Sequence, residues 1–186
     1  MPRPAPSAVT MNLPRRDARD KLLGRTRYTV DRALPGMLHA AILRAEVASA
    51  RIVKIDTARA RQMPGVRAIA LAEDAPGMHG IGIADHPLFA SGVIRFHGER
   101  IAAVAADTYE QAQAAARAIK VELEPLPAVL TMAEALAPGA PLIHPGWKSY
   151  EVLFEGGARS GNVAWEATVV RGDTDAAFAR EDVVVV

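Results

Sequence analysis

The chain has 186 residues, of which half are apolar and 23% are charged, with a formal net charge of +1 and no cysteine. This length predicts one domain, or one domain with a tail, and lets the chain bury enough apolar surface to fold without a disulfide or a metal ion. The lack of cysteine excludes a disulfide scaffold, a thiol nucleophile, an iron–sulfur site and a zinc site with thiolate ligands.

Basic residues are concentrated near the N-terminus. Residues 1–32 carry eight basic side chains and three acidic ones, and four of the first fourteen residues are proline. We predict a flexible tail over residues 1–20, because this segment has too few large apolar side chains to pack. A basic arm can bind nucleic acid, but Tyr28 is the only aromatic residue in residues 1–32, so we prefer a solvated tail without a nucleic-acid partner.

Neither a targeting signal nor a membrane-spanning segment is recognisable in the sequence. Arg15 and Arg16 are followed by charged residues rather than by an apolar stretch, which argues against a twin-arginine export signal. The longest apolar runs fall well short of the ~20 residues that a spanning helix needs. We therefore expect a cytoplasmic protein without a membrane partner.

The predicted domain covers residues 21–186, and its first elements are short strands. The segment 27–30 has strand composition and is followed by a turn at Pro35–Gly36, and the apolar run 37–43 has the length of a second strand. One arrangement then occurs three times: a strand, an Asp-Thr pair, a helix and a further strand. The predicted strands are 51–55, 66–71, 101–106, 121–123, 163–170 and 183–186, and the predicted helices are 58–63, 109–119 and 175–180.

The Asp-Thr pair before each helix predicts where that helix begins. A side-chain oxygen of aspartate or threonine accepts a hydrogen bond from an amide in the first turn that has no partner within the helix. Thr108 with Gln111, and Thr131 with Glu134, also have the spacing of a capping box. The three pairs are Asp56–Thr57, Asp107–Thr108 and Asp173–Thr174.

This order of elements predicts an α+β (mixed α/β) fold in which strand–helix–strand units lie on a mixed sheet. Apolar and charged residues alternate over 119–124, which predicts a sheet with one face in water. One stripe of the helix 109–119 contains small residues, so the helix can lie close to a sheet. The stripe consists of Tyr109, Ala112, Ala116 and Ile119.

Two segments near the C-terminus depart from the regular pattern. Residues 145–162 contain several glycines and scattered charges and are predicted to be linker-like. The segment 163–186 is predicted to be a strand–helix–strand unit that is cut short, because the four valines 183–186 suit a strand buried on both faces and no turn follows them. A short edge strand is the alternative interpretation of these valines.

The residues by themselves point to no catalytic centre. No two of the five histidines have the i, i+4 spacing of a helical metal site, and His86 and His144, each followed by proline, are typical of turns. The glycines of 77–82 are in the wrong order for a phosphate-binding loop, and neither Ser91 nor Ser160 lies in a nucleophile elbow. We therefore predict no catalytic, cofactor-binding or metal-binding residue in this chain.

A series of short motifs is spread along the sequence. They are Gly24–Asp31, Leu34–Ala40, Leu43–Arg44, Ala50–Asp56, Met63–Val66, Phe96–Glu99, Ile101–Val104, Ala112–Ala118, Val121–Val129, His144–Pro145, Gly161–Asn162 and Arg171–Phe178. In their order and spacing, the chain resembles the large subunit of the xanthine dehydrogenase/aldehyde oxidase family, the molybdenum hydroxylases, over about residues 20–186. Two positions differ: Ala45–Val47 stands where the family often has Ser-Pro-His, and Arg100 stands where it has proline after Gly-Glu.

The resemblance implies that residues 21–186 form an α/β hammerhead domain, which precedes the larger part of the family's chain that holds molybdopterin. The motifs that bind the pterin and the molybdenum, and the catalytic glutamate, come later in the family's chain and have no match here. No cofactor is therefore expected in this chain, whereas molybdopterin with molybdenum, iron–sulfur centres and FAD are implied for the full complex. The implied partners are the molybdopterin-binding part of the large subunit and the iron–sulfur and flavin subunits.

Three functions remain open from the sequence. The preferred one is a non-catalytic structural and assembly domain, or a small subunit, of a molybdenum hydroxylase that oxidises aldehydes or N-heterocycles. The alternative is a stand-alone binding module derived from that family, with its ligand near the loop 77–82 and the basic arm. The third is an independent enzyme whose site the sequence does not reveal.

Overall fold

The computed structural model describes residues 15–153 and 157–180. The chain forms two compact units, one ending at Met37 and the other beginning at Leu38. Within the described ranges, every helix is too short or too polar to span a bilayer. Most of the predicted tail and the strand predicted for the four terminal valines lie outside the described residues.

The smaller unit contains helix α1 (Ala18–Leu22) and a 3₁₀ helix (Thr29–Asp31). The prediction of a strand over 27–30 is therefore wrong. The Asp31 carboxylate accepts a hydrogen bond from the Tyr28 amide at 2.8 Å, and the Asp31 amide donates to the Tyr28 carbonyl at 3.1 Å. These two bonds stabilise a helical turn at this point. The hydrogen bond from the backbone to the Asp31 side chain competes with strand pairing and outweighs the strand preference of Tyr28 and its neighbours.

The larger unit combines ten strands with four α-helices in its described residues, which confirms the predicted α+β class. The strands are β1 (His39–Arg44), β2 (Ala50–Asp56), β3 (Val66–Ala70), β4 (Met78–His79), β5 (His86–Pro87), β6 (Val93–Ile94), β7 (Arg100–Ala106), β8 (Lys120–Pro125), β9 (Ala158–Ser160) and β10 (Val163–Glu166). The helices are α2 (Ala58–Arg61), α3 (Tyr109–Ala118), α4 (Met132–Leu136) and α5 (Thr174–Phe178), and 3₁₀ helices cover Ala72–Asp74 and Trp147–Ser149. The strand predicted over 163–170 ends early, at Glu166.

The strands form four small sheets, and every described pair of strands is antiparallel. The predicted mixed sheet is therefore replaced by antiparallel ones, because α2 and α3 each connect strands of different sheets rather than neighbouring parallel strands. One sheet has the order β1–β7–β3 and another has the order β6–β2–β8, while β4 pairs with β5 and β9 pairs with β10. In the first sheet, Val104 of β7 lies opposite Ala41 of β1 and also opposite Ile69 of β3. All three side chains are buried, so β7 is the centre of this sheet.

Helix α3 packs on this sheet through alanine. Ala102, Val104 and Ala106 of β7 have no exposed surface. Because alanine has only a Cβ beyond the backbone, the helix and the strand can approach each other closely and exclude water between them. The residues that α3 buries are Ala112, Ala115 and Ala116.

The predicted helical stripe is confirmed at three of its four positions. Ala112, Ala116 and Ile119 are buried, whereas Tyr109 is half exposed. The Tyr109 hydroxyl accepts a hydrogen bond at 2.8 Å from the side-chain amide of Gln113, one turn further along the helix. This bond holds the ring at the surface of the helix, away from the alanine contact.

The start of α3 is fixed by the predicted capping box. The Gln111 amide donates to Thr108 Oγ1 at 3.2 Å, and the Thr108 amide donates to Gln111 Oε1 at 3.1 Å. Gly65 in the turn before β3 packs against this box: its φ is +79°, and a Cβ at this position would clash with the Gln111 side chain. The turn therefore needs glycine for both its backbone conformation and the space that it leaves.

A bidentate ion pair joins β3 to the same end of α3. Arg67 Nε and Nη2 donate to the two carboxylate oxygens of Asp107 at 2.7 and 2.8 Å. These hydrogen bonds hold the pKa of Asp107 below its ordinary value. The Asp107 amide also donates to the Gly65 carbonyl at 2.9 Å, so the side chain and the backbone of Asp107 both bind the β3 side of the sheet.

The other Asp-Thr pairs cap their helices through the aspartate. The Ala58 amide donates to Asp56 Oδ1, and the Ala176 amide donates to Asp173 Oδ1, each at 2.9 Å. The second predicted capping box, in Thr131–Glu134, is confirmed at the start of α4. In each Asp-Thr pair, one residue therefore caps the helix that follows: the threonine caps α3, and the aspartate caps α2 and α5.

The predicted alternation over 119–124 is confirmed in β8. Val121 and Leu123 pack against buried residues, whereas Glu122 and Glu124 are exposed. Across the sheet, Arg51 Nε donates to Glu124 Oε2 at 3.0 Å. One face of the β6–β2–β8 sheet is therefore in water, as the pattern indicates.

We expect Thr108→Ala to lower the free energy of unfolding by about 1 kcal/mol, because it removes the acceptor that caps α3. Thr57→Ala is the matched control: Thr57 precedes α2, but its side chain caps no amide of that helix. The control should change the free energy by less than roughly 0.5 kcal/mol. Urea denaturation followed by circular dichroism measures both, and equal losses would contradict the assigned cap.

We expect Ala115→Leu to destabilise the fold by about 1–3 kcal/mol, because the larger side chain has no room between α3 and β7. Ala114→Leu adds the same atoms on the exposed side of the same helix and should stay within roughly 0.5 kcal/mol of the parent. Thermal unfolding of the two variants compares them directly. A tolerated Ala115→Leu would show that the alanine contact does not limit the packing.

Candidate functional site

Three segments of the larger unit meet around a pocket of about 170 Å³. They are the loop 82–85 before β5, the segment 143–150, and the hairpin of β9 and β10. The loop is held by backbone hydrogen bonds from Ala84 to Glu151 at 2.9 Å and from Leu153 to Gly82 at 2.8 Å. The polar and aromatic side chains that line the pocket belong to Asp85, His144, Trp147, Tyr150, Arg159 and Asn162.

Asn162 holds two of these segments together. Its side-chain nitrogen donates to the carbonyl of Ala135 at 3.1 Å and to that of Pro141 at 3.0 Å. Its side-chain oxygen accepts from the Ile143 amide at 3.0 Å. The Asn162 amide is thus largely engaged with backbone groups, and its role at the pocket is to shape the wall rather than to bind a ligand.

Two histidines that are distant in the sequence lie side by side next to the pocket. The His86 and His144 rings have centroids 6.2 Å apart at 62°, and His86 Nδ1 contacts the Asp85 carboxylate. His144 Nδ1 lies 3.2 Å from the Tyr150 hydroxyl. Burial lowers the pKa of His144 below its ordinary value, so its imidazole is neutral at pH 7.

Trp147 carries two cations on its ring. The Arg159 guanidinium carbon lies 5.9 Å from the ring centroid, and Lys148 Nζ lies 5.5 Å from it. Both distances are within the range of a cation–π contact. Arg159 is half-buried, and it forms neither an ion pair nor a side-chain hydrogen bond with any described residue.

A buried ion pair lies in the turn after β6. Glu99 is only 5% exposed, and its carboxylate accepts a hydrogen bond from the Arg95 amide at 2.6 Å and lies 3.5 Å from Arg95 Nη1. The Glu99 carbonyl accepts from the Ala45 amide at 2.8 Å, which ties this turn to the end of β1. Glu99 therefore has a structural role in the turn.

Of the residues that the sequence analysis weighed, His144 lines the pocket and His86 lies beside it, whereas the serines and the loop 77–82 do not. Ser91 and Ser160 are exposed, and neither has a side-chain hydrogen bond to a described residue. Ile81, in the glycine-containing loop 77–82, is fully exposed. In the described ranges, no group of three or more histidine, cysteine, aspartate or glutamate side chains could hold a metal ion.

The pocket does not fit molybdopterin. A cavity of about 170 Å³ accepts one small ring, whereas sites for larger organic ligands measure about 300–1,000 Å³. The polar groups around the pocket are one carboxylate, one neutral imidazole, one phenol, one indole, one side-chain amide and one guanidinium, which do not make a ligand set for molybdenum. What the arrangement can do is bind a small molecule through aromatic faces and charge.

Sequence reasoning missed the meeting of Asp85, His86, His144 and Tyr150. His86 and His144 were predicted to be turn residues because each precedes a proline, and no periodic spacing connects them. The pairing of Ile83 with Val152 brings their segments together, and that long-range contact leaves no mark in the local pattern. The only indication of this pocket in the sequence was the presence of aromatic residues in a segment predicted to be linker-like.

Comparison with known proteins identifies the family. The family described as "Aldehyde oxidase and xanthine dehydrogenase, a/b hammerhead domain" matches residues 23–127. A probable xanthine dehydrogenase component of Bacillus subtilis is 35% identical over 172 residues, which cover 91% of this chain and 21% of the relative. "Nicotinate dehydrogenase large molybdopterin subunit" of Eubacterium barkeri is 34% identical over 171 residues, which cover 91% of this chain and 37% of the relative.

A solved structure supports the same assignment. The aldehyde oxidoreductase from Desulfovibrio gigas superposes with a TM-score of 0.64 at 36% identity, over 72% of this chain and 16% of that chain. The chain spans about a fifth to two fifths of the length of the two curated relatives. Because the family match covers more than half of the sequence and confirms the resemblance of its motifs, the chain belongs to the aldehyde oxidase and xanthine dehydrogenase a/b hammerhead domain family.

Proposed function

We propose that this chain is a non-catalytic assembly domain of a cytoplasmic molybdenum hydroxylase. It covers and positions the part of the large subunit that binds molybdopterin, and it helps to dock the iron–sulfur and flavin partners. The name of the Eubacterium barkeri relative, a large molybdopterin subunit, supports a partner that binds molybdopterin. When bound in that partner, the molybdenum centre supplies the hydroxylation chemistry, and this chain contributes shape and contacts.

The observation that carries the proposal is the exposed apolar surface around α4. Leu130, Met132 and Leu136 are 74%, 85% and 65% exposed, and no residue of α4 is buried. The capping box at Thr131 nevertheless holds α4 in a defined helical conformation. A well-formed helix that presents apolar side chains to water is typical of a surface that another part of a protein covers.

A second apolar surface follows β10. Val169 and Val170 are 94% and 67% exposed, and Phe178 of α5 is 60% exposed. The aspartate cap at Asp173 fixes the start of α5, while none of its residues is buried. The two surfaces lie after the alanine core in the chain, and the proposed partner would cover both.

We expect native mass measurement on the protein from its own cell to find this sequence at one to one with a molybdopterin-binding part, on another polypeptide or continuous with it. Elemental analysis of the isolated 186-residue chain should find no bound molybdenum, and the chain should show no hydroxylase activity. Stoichiometric molybdenum in the isolated chain would contradict the proposal. A monodisperse free chain in the cell would instead support the stand-alone binding module.

We expect the double variant Met132→Asp/Leu136→Lys to weaken association with that partner at least about tenfold, because charges would have to be desolvated at the contact. The acid in the first turn and the base in the last turn suit the helix dipole, so α4 should stay helical. Ala114→Lys places a charge on the exposed side of α3 and should leave association unchanged. Sedimentation of the complexes measures the difference, and equal association of all variants would exclude α4 from the interface.

A further inference from the structure

The volume of the pocket around Trp147 suits a ligand with a single ring. Its volume of about 170 Å³ is close to that of an apolar cavity of ~150 Å³ that accepts benzene in another protein. A six-membered ring with one small substituent therefore fits in it.

The walls of the pocket favour a flat aromatic ring. Trp147, Tyr150 and His144 line one part of it, and the His144 and Tyr150 rings meet edge to face, with centroids 5.7 Å apart at 83°. Aromatic clusters of this kind accept a further ring in the same edge-to-face or offset geometry. The aliphatic side chains of Ile83 and Ile143 complete the apolar lining.

The charges at the pocket favour an anion. Arg159 is half-buried and has no carboxylate partner among the described residues, and Lys148 on the same tryptophan has none either. A guanidinium can bind the carboxylate of a ligand in a bidentate manner, through two parallel hydrogen bonds. Partial burial strengthens that interaction relative to one in open water.

The other charged groups near the pocket contact neighbouring side chains. Asp85 is the carboxylate in the lining, and its oxygen contacts Nδ1 of His86. Behind His144, the Glu99 carboxylate is paired with Arg95. His144 is neutral because it is buried, so the cation in the lining that lacks an acidic partner among the described residues is Arg159.

We propose that this pocket binds a small aromatic carboxylate, with its ring among the aromatic side chains and its carboxylate on Arg159. The inference concerns a ligand site of this chain, and it does not depend on the proposed assembly function. It involves no chemical step: the chain binds the ligand and leaves it unchanged.

The test uses Trp147 as its own reporter. In the 186-residue chain with Trp165→Phe, Trp147 is the only tryptophan, and benzoate is the probe. We expect benzoate to change the fluorescence of Trp147 in a saturable way, with a dissociation constant below about 10 mM for a ligand of this size. Isothermal titration of the unmodified chain with benzoate provides a second, label-free measurement.

Three further compounds separate the contributions of ring and charge. Benzamide has the ring without the charge, and cyclohexanecarboxylate has the charge without the aromatic ring. Each should bind at least about tenfold more weakly than benzoate, since each loses one of the two interactions. Benzylammonium should bind more weakly still. Equal binding of benzamide, or tighter binding of benzylammonium, would overturn the proposal.

Arg159→Met should weaken benzoate binding about tenfold or more, and Arg159→Lys should recover part of the loss, because lysine keeps the charge without the planar fork. The matched control is Arg59→Met, which removes an exposed arginine of α2 and should bind benzoate like its parent. Unchanged affinity in Arg159→Met would overturn the proposal, as would the absence of saturable binding in both assays. The compound series on the parent chain decides the question even where a variant folds poorly.

Discussion

The larger unit depends on the close approach of α3 to β7. Ala102 and Ala106 of β7 belong to one buried cluster with the alanines of α3. Many close contacts, rather than large side chains, therefore hold the two elements together. Such packing leaves no room for adjustment, because a larger group at the contact would push the helix away from the whole sheet. β1 and β3 are in turn held by hydrogen bonds to β7, and they are placed by the same contact.

The position of α3 along β7 is set at one end by a small group of polar contacts. Gly65, Arg67 and Asp107 connect the β3 side of the sheet to the last residues of β7, and Thr108 with Gln111 then begins the helix. Packing of alanine against alanine does little to fix the position of α3 along β7, because each side chain is a single methyl group. These directional hydrogen bonds supply the register that the apolar contact lacks.

The features that the sequence predicted correctly are those decided by near neighbours. Thr108 lies three residues from its capping partner, and the alternation in 119–124 follows from the pleat of one strand, so both can be derived from local pattern. The strand predicted over 27–30 was wrong because the carboxylate of Asp31 competes for the backbone nearby. The central place of β7, and the meeting of the three segments around Trp147, depend on residues far apart in the chain, and no local period records such contacts.

The distribution of large apolar side chains separates the two parts of the larger unit. Among the described residues, Ile94 and Val104 are the largest fully buried side chains, and both lie in the first two sheets, whereas α4 and α5 bury no residue. Side-chain hydrogen bonds help to hold the segment after β8, and Asn162 makes three of them. One of these bonds joins Asn162 to the Ala135 carbonyl in α4, and Asn162 also forms part of the wall of the pocket around Trp147. The position of α4 and the shape of that wall therefore depend on the side-chain hydrogen bonds of one residue, Asn162.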